Sequence, residues 1–358
     1  MPEPRIISVA EAIREATDLA MERDSRVFVM GEGVTDPKAV FGTTAGLIER
    51  YGPERVLEMP IAENGFTGMA IGAAIMGRRP IIIHQRVDFA LLSLEQLFNN
   101  AAKICYVTAG RHRVPLVVRM IVGRGWGQGP AHSQSLEALF AQVPGLKVIM
   151  PTTAREAKGQ LLAAIEDDNP VIFIEHRWVH YATGDVPAGY YTTPIDGPRV
   201  VRPGRDVTIV ATSYMLLEAL RAAETLAAAG IEAEVIDMAV LRPFAPEAIV
   251  ASVRRTGRLL CVDTGFRSYG VGAEVVATVT EQALDALRRP PRRLGLPEHP
   301  TPSSRALLGD FYPTAMSIID AVAELVEAGD LSGPRQALET ELARVPKDVP
   351  HPTFRGPF

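Results

Sequence analysis

Three residues of chemically useful type stand just past three apolar runs. Glu63 follows Val56–Met59 in Pro60-Ile-Ala-Glu63-Asn-Gly65-Phe-Thr-Gly68, and Phe89 follows Pro80–His84 in Gln85-Arg86-Val-Asp88-Phe89. His132 follows Pro115–Val122 on Gly123-Arg124-Gly125-Trp-Gly127-Gln-Gly129-Pro-Ala-His132-Ser-Gln134-Ser135. Ligands of an open α/β sheet gather at the carboxyl ends of its strands. If these runs are strands, a carboxylate, an aromatic ring and an imidazole converge on one rim. A buried carboxyl group can trade a proton, an imidazole can move one near neutrality, and a ring face can stack on a flat ligand.

Each residue also has a plainer reading. Glu63 could cap the helix that follows, where the dipole favours a carboxylate, with Gly68, Gly72 and Gly77 serving only close helix packing. Phe89 could be core. His132, Ser133 and Ser135 could cap a helix. The loop from Gly123 to Pro130 resists such a reading, because four glycines in eight residues cannot fill a core. Its spacing is not a dinucleotide fingerprint either.

The elements that must position these residues alternate in type. Ser8-Val-Ala-Glu11 predicts a capping box opening a helix with Ile13, Ala16, Leu19 and Ala20 on one face. Strands are expected at 26–30, 56–59, 80–84, 115–122, 146–150 and 171–175, with helices near 66–76, 91–109, 135–140 and 154–166. Runs such as Ile81-Ile82-Ile83 and Val171-Ile-Phe-Ile174 have no polar face, the mark of a parallel sheet covered on both sides. Residues 181–205 break the rhythm with eight Gly and Pro, and read as a connection. A second alternation predicts strands at 207–211, 233–238, 258–263 and 292–296, and helices near 215–229, 246–254, 272–287 and 312–327. The expected division is 1–180, a linker 181–205, a second α/β domain 206–330, and a polar tail or arm over 331–358.

Composition bounds the remaining choices. The 358 residues are 47% hydrophobic and 22% charged, an ordinary globular balance, and exceed what one core usually supports. A net charge of −5 argues against a nucleic-acid backbone as partner. Cys105 and Cys261 stand far apart and suit a reducing compartment. The amino terminus lacks the apolar core of a signal peptide, and no apolar run approaches about 18 residues. A cytoplasmic location is the expectation.

Several blocks resemble the β subunit of thiamine-diphosphate-dependent 2-oxo acid dehydrogenase E1 components. They are Glu58-Met-Pro-Ile-Ala-Glu-Asn-Gly-Phe-Thr-Gly68, Ala131-His-Ser-Gln-Ser-Leu-Glu137, Pro144-Gly-Leu-Lys-Val148, Asp168-Asn-Pro-Val-Ile-Phe-Ile-Glu175, Val235-Ile-Asp237, Leu241-Arg-Pro243 and Thr256-Gly-Arg-Leu259. They run in family order from about residue 5 to 325. The resemblance implies two open-sheet α/β domains, a transketolase-like pyrimidine-binding domain followed by a transketolase C-terminal domain. It implies that Glu63 hydrogen-bonds N1′ of the cofactor's aminopyrimidine, a proton exchange that activates the thiazolium. It further gives Phe89 the pyrimidine face, Gln85 a place beside that ring, and His132 the active-site entrance, for proton transfer or a substrate anion. A monovalent cation, K⁺, is implied near the backbone of Ala164, Ile165, Asp167 and Asn169.

The superfamily's usual Mg²⁺–diphosphate device is Gly-Asp-Gly with an asparagine nearly thirty residues on. Here Gly-Asp occurs only at 184–185, 309–310 and 329–330, and the last asparagine, Asn169, precedes all three. The resemblance implies that an α subunit supplies the diphosphate half and Mg²⁺, in an α2β2 heterotetramer. Part of the apolar surface around the helix carrying Gly68–Gly77 is then expected to pack against subunits.

The pattern also departs from the family. Ile83 and Arg86 stand where members carry glutamate and phenylalanine, and Asp263-Thr-Gly-Phe-Arg-Ser-Tyr269 and Glu298-His299 are unusual. Arg86 and Arg124 are read either as solvated or α-subunit contacts, or as guanidinium groups facing an anionic substrate. Three functions stay open. The first is a dehydrogenase E1 β subunit passing an acyl group to a lipoyl E2. The second is a split transketolase or acyloin-forming enzyme acting on a sugar or other anionic acceptor. The third is a non-catalytic assembly subunit, disfavoured by the joint presence of Glu63, Phe89 and His132.

Overall fold

Short, largely apolar strands decide the architecture. The computed structural model describes residues 4–36, 38–123 and 128–344. These divide into two compact units, one taking the described residues up to 123 and 131–195, the other 128–130 and 196–344. The break after 195 falls inside the glycine- and proline-rich stretch 181–205.

In the first unit the strands are β1 (Ile6–Ser8), β2 (Val27–Gly31), β3 (Val56–Glu58), β4 (Arg79–His84), β5 (Val117–Val122), β6 (Lys147–Ile149), β7 (Val171–His176) and β8 (Thr183–Asp185). Six of them lie side by side in the order β6-β7-β5-β4-β2-β3, and every pairing is parallel. All residues of β2, β5 and β7 are buried, as strands covered on both faces must be. β1 and β8 form a separate antiparallel pair. They have three residues each and no apolar pattern, so periodicity does not reveal them.

The helices of this unit are α1 (Val9–Arg23), α2 (Leu47–Tyr51), α3 (Glu63–Ile75), α4 (Val87–Ala90), α5 (Ala102–Val107), α6 (Glu137–Ala141) and α7 (Ala154–Glu166). Ser8 and Glu11 make the expected reciprocal capping box, and α1 packs on α7. The single helix expected over 91–109 is three segments: a 3₁₀ turn (Leu91–Ser93), a π-helix (Glu95–Ala101) and α5. Met69 on α3 and Met76 at its C-cap are exposed, and a side chain added at Gly72 would meet nothing.

The second unit has β9 (Arg199–Arg202), β10 (Val207–Ala211), β11 (Ala233–Asp237), β12 (Val240–Arg242), β13 (Leu259–Phe266) and β14 (Arg292–Leu296). Five form a sheet in the order β14-β13-β10-β11-β9, parallel except for the edge strand β9. Its helices are α8 (Tyr214–Ala227), α9 (Glu247–Thr256), α10 (Val271–Ala283), α11 (Ala315–Val326) and α12 (Ser332–Leu342). The last of these puts a helix into the stretch expected to be a polar tail or arm. Among the described residues, no helix is long and apolar enough to cross a membrane.

Candidate active site

Strands β3, β2 and β4 are neighbours, and side chains lace their carboxyl ends together. Glu58 closes β3 and accepts from Gly33 N at 2.6 Å, Thr35 N at 3.0 Å and Thr35 Oγ1 at 2.9 Å. Gln85 leaves β4 and donates through Nε2 to Glu32 O at 3.2 Å. Glu63 is the first residue of α3 and only 4% exposed. The α3 N-cap, Ala62, makes no side-chain cap bond. The helix dipole favours the Glu63 carboxylate there.

Glu58 and Glu63 are close enough to Glu32 for their charges to act on it. Burial, then the charges of Glu63 and Glu58, push the Glu32 carboxyl up to about 6. Glu32 Oε1 is buried with no hydrogen-bond partner among the described residues. Such a group holds a proton through much of the range where an ordinary carboxyl has lost it.

Gln85 follows β4 directly, and Phe89 lies within α4, the one-turn helix that comes next. Phe89 is half-buried rather than core, and its ring meets His132 edge-on, with centroids 5.2 Å apart at 87°. His132, Ser133 and Ser135 do not cap α6, whose N-cap is Leu136 and makes no side-chain bond. The loop holding His132 is fixed at its base, since Gly123 N donates to Gln134 O at 3.3 Å. Gln134 Nε2 in turn donates to Asp88 Oδ1 at 2.8 Å.

Arg86 is neither solvated nor on an open surface. It is 3% exposed, and its NH1 donates to Gly123 O at 2.8 Å. Its place at the end of a buried strand turns the guanidinium into the unit. Arg124 lies outside the described residues. Behind the rim, Arg119 binds Glu175 at two points and His180 Nε2 lies 2.9 Å from Glu175 Oε2, all three buried. Burial pushes the Glu175 carboxyl up, but the Arg119 charge and the hydrogen bonds from His180 and Arg119 outweigh it and hold it down to about 2.

The backbone proposed from the resemblance to hold K⁺ lies at the other end of the sheet, before β7. Arg79 NH1 donates to Ile165 O at 2.9 Å and to Asp167 O at 3.1 Å, and its NH2 to Asp168 Oδ1 at 2.7 Å. Lys147 Nζ sits on the Asp167 carboxylate, which also accepts from Asn169 Nδ2 at 3.0 Å. Two of the four carbonyls of Ala164, Ile165, Asp167 and Asn169 therefore carry a guanidinium. A further monovalent cation would meet fixed positive charge, so these residues do not fit one.

Sequence reasoning overlooked Glu32, Glu58, Asp88 and the pair Arg119–Glu175. Glu32 and Glu58 were within reach of the same rule that found Glu63, being polar residues at the carboxyl ends of β2 and β3. Arg119 carries no such signal, because a lone charge inside an apolar run looks like an interruption of it.

Two family models match in succession, the transketolase pyrimidine-binding domain over residues 5–179 and the transketolase C-terminal domain over 198–318. The β subunit of acetoin:2,6-dichlorophenolindophenol oxidoreductase from Bacillus subtilis is 38% identical over 334 residues, which cover 90% of this chain and 98% of that protein. The pyruvate dehydrogenase E1 β subunit of Porphyra purpurea is 41% identical over 318 residues, 89% of this chain and 96% of that protein. Among solved structures, a split-gene transketolase described as an inactive β4 tetramer aligns with a TM-score of 0.72 at 25% identity, over 90% of this chain and 98% of that one. With a buried glutamate opening α3 and two transketolase-type domains in order, the chain belongs to the family of E1 β subunits of pyruvate and acetoin dehydrogenases.

Proposed function

We propose that this chain is the β subunit of a heteromeric thiamine diphosphate enzyme that decarboxylates a 2-oxo acid. The acyl group passes to a lipoyl E2 domain. The observation that carries the reading is the buried Glu63 at the start of α3, beside a Glu32 carboxyl pushed up to about 6. A buried glutamate with a second carboxyl pushed up beside it suits proton exchange with a ring nitrogen.

The residues present fit the aminopyrimidine half of the cofactor. Glu63 would hold its ring nitrogen, Phe89 its face and Gln85 its edge, and the orphaned Glu32 Oε1 leaves an acceptor to spare. The bound cofactor supplies an acidic thiazolium carbon and an electron sink for decarboxylation. Glu63 holds or releases the proton at the pyrimidine, and His132, edge-on to Phe89, handles a proton or a carboxylate at the entrance. The Mg²⁺–diphosphate half is not served by these residues. Among the described residues no group of three or more His, Cys, Asp or Glu side chains could hold a metal ion. That half falls to an α subunit, in an α2β2 assembly whose contacts include the bare face of α3 around Met69, Gly72 and Met76.

The chain reconstituted with its α subunit should release CO₂ from a 2-oxo acid and acylate a lipoyl domain. Glu63→Gln should lower turnover at least a hundredfold while assembly survives. Turnover by this chain alone, or by the Glu63→Gln assembly, would sink the reading. The likeness to a split-gene transketolase favours a second reading, two-carbon transfer to a sugar. Carbon–carbon bond formation with a sugar phosphate, and none with a lipoyl domain, would select it.

A further inference from the structure

The turn after β4 does more than carry Phe89. Arg86 and Asp88 flank Val87 just before it, and both reach across to the loop that holds His132. Arg86 NH1 donates to Gly123 O at 2.8 Å, where the loop leaves β5. Asp88 Oδ1 accepts from Gln134 Nε2 at 2.8 Å, where the loop returns. The two ends meet, Gly123 N donating to Gln134 O at 3.3 Å. The neck of the loop is thus held from one short segment.

Gly123 completes the anchorage. Its φ is +79°, and a Cβ there would lie 2.5 Å from His176 Nε2 and 2.7 Å from Cε1, so only glycine lets the strand end against that buried ring. His132 is two residues from Gln134, too few to average out a movement of the neck. Phe89 is adjacent to Asp88 on the other side of the same contact. The Asp88–Gln134 bond therefore fixes both members of the His132–Phe89 ring pair, 5.2 Å apart, against each other.

The cost of this bond says it is not incidental. Burial pushes the Asp88 carboxyl up, while the hydrogen bond from Gln134 and the Arg86 charge pull it back. Its second oxygen, Oδ2, is buried with no hydrogen-bond partner among the described residues. A half-buried carboxylate with one orphaned oxygen costs stability, which an amide or an apolar group at this position would avoid. Costs of this kind collect where geometry must be held.

We infer that Asp88, acting through Gln134, is a positioning residue that sets His132 edge-on to Phe89. The inference rests on the function proposed for His132 only in its catalytic consequence. The geometric part stands without it.

Histidine-labelled chain tests the geometry directly by NMR. Of the seven histidines, His132 is assigned by the loss of its resonance in His132→Gln. In wild type its ring protons are displaced by the Phe89 ring current, and Phe89→Leu removes that displacement. Asp88→Leu and Gln134→Leu should each move the His132 signal most of the way to its Phe89→Leu position, and the double variant no further. Asp88→Asn keeps an acceptor and should keep the signal near wild type. The His84 and His176 signals report that the fold is intact. An unmoved His132 signal in Asp88→Leu overturns the inference, as does a double variant that moves it twice as far. In the reconstituted complex, Asp88→Leu should lower kcat about tenfold and Asp88→Asn less than twofold. A displaced His132 signal with full turnover would leave the positioning in place and strike the role proposed for His132.

Discussion

Arg119 and Glu175 join neighbouring parallel strands at the centre of the first sheet, with Nε 2.6 Å from Oε1 and NH2 3.0 Å from Oε2, and neither side chain reaches solvent. The pair sits two residues out of register, since Arg119 lies opposite Phe173 and Glu175 opposite Ile121. It therefore ties the middle of β5 to the carboxyl end of β7. Removing one partner strands a buried charge, which costs about 3–5 kcal/mol. Glu175→Ala should show that loss in urea unfolding of the first unit. The joint change to Arg119→Met and Glu175→Met should cost less than Glu175→Ala alone. A loss of under 1 kcal/mol for the single variant would mean the pair is solvated in solution.

Two buried histidines set the acid side of the stability curve. Burial holds His84 down to about 4, and burial with the charges of His180 and Arg86 holds His176 down to about 3. Unfolded, both titrate at the ordinary 6.5. Between pH 6.5 and 4 the unfolded chain binds more protons, so stability falls as pH falls, by up to about 1.4 kcal/mol per unit for each histidine. Glu175 adds to this lower down. Its contribution is complete above 4.5 and is lost as pH drops toward about 2. His84 stacks on Phe66 with centroids 5.3 Å apart, so His84→Phe should fold. Burial lowers His180 as well, so urea midpoints at pH 7 and pH 5 should then differ by less than in wild type without becoming equal. An unchanged difference would remove His84 from the account.

The strands and the rim were legible because buried parallel strands are continuous apolar runs and the residue after each run marks the rim. By that rule Glu63, Phe89 and His132 stand on the rim. Partnerships were not legible, since nothing in the spacing of Asp88 and Gln134 says that their side chains meet. Arg86 shows the limit. Its type suggested solvent or substrate, but its place at the end of a strand buried on both faces turns it into the unit, where a backbone carbonyl takes its charge. The composition of 331–358 suggests a polar tail or arm and carries no signal for the helix Ser332–Leu342.

Ser213 holds a backbone conformation that suits glycine. It links β10 to α8 at φ 46° and ψ −127°, and its side chain makes no bond to cap that helix. Strain of this kind costs about 1–3 kcal/mol, while glycine adds about 1 kcal/mol of unfolded-state freedom. Ser213→Gly should therefore stabilise the second unit by about 1 kcal/mol, and Ser213→Ala should not. A glycine chain less stable than the serine chain by about 1 kcal/mol in chemical unfolding would show that the serine is not strained.

Arg79 makes the monovalent-cation question testable. It opens β4, and its guanidinium spans Ile165 O, Asp167 O and the Asp168 carboxylate, closing the turn between α7 and β7. The turn thus contains its own cation, tethered at no translational cost, and Lys147 neutralises the Asp167 carboxylate. Exchanging K⁺ for Na⁺ or choline at constant ionic strength should leave the Tm of the wild-type chain within about 1 °C. Arg79→Met frees both carbonyls and removes the competing charge. That variant should lose stability, and K⁺ should restore part of it, several degrees of Tm at saturation. A wild-type Tm that climbs with K⁺ and not with choline would show that a cation and the guanidinium share the turn, and the exclusion argued from charge would fall.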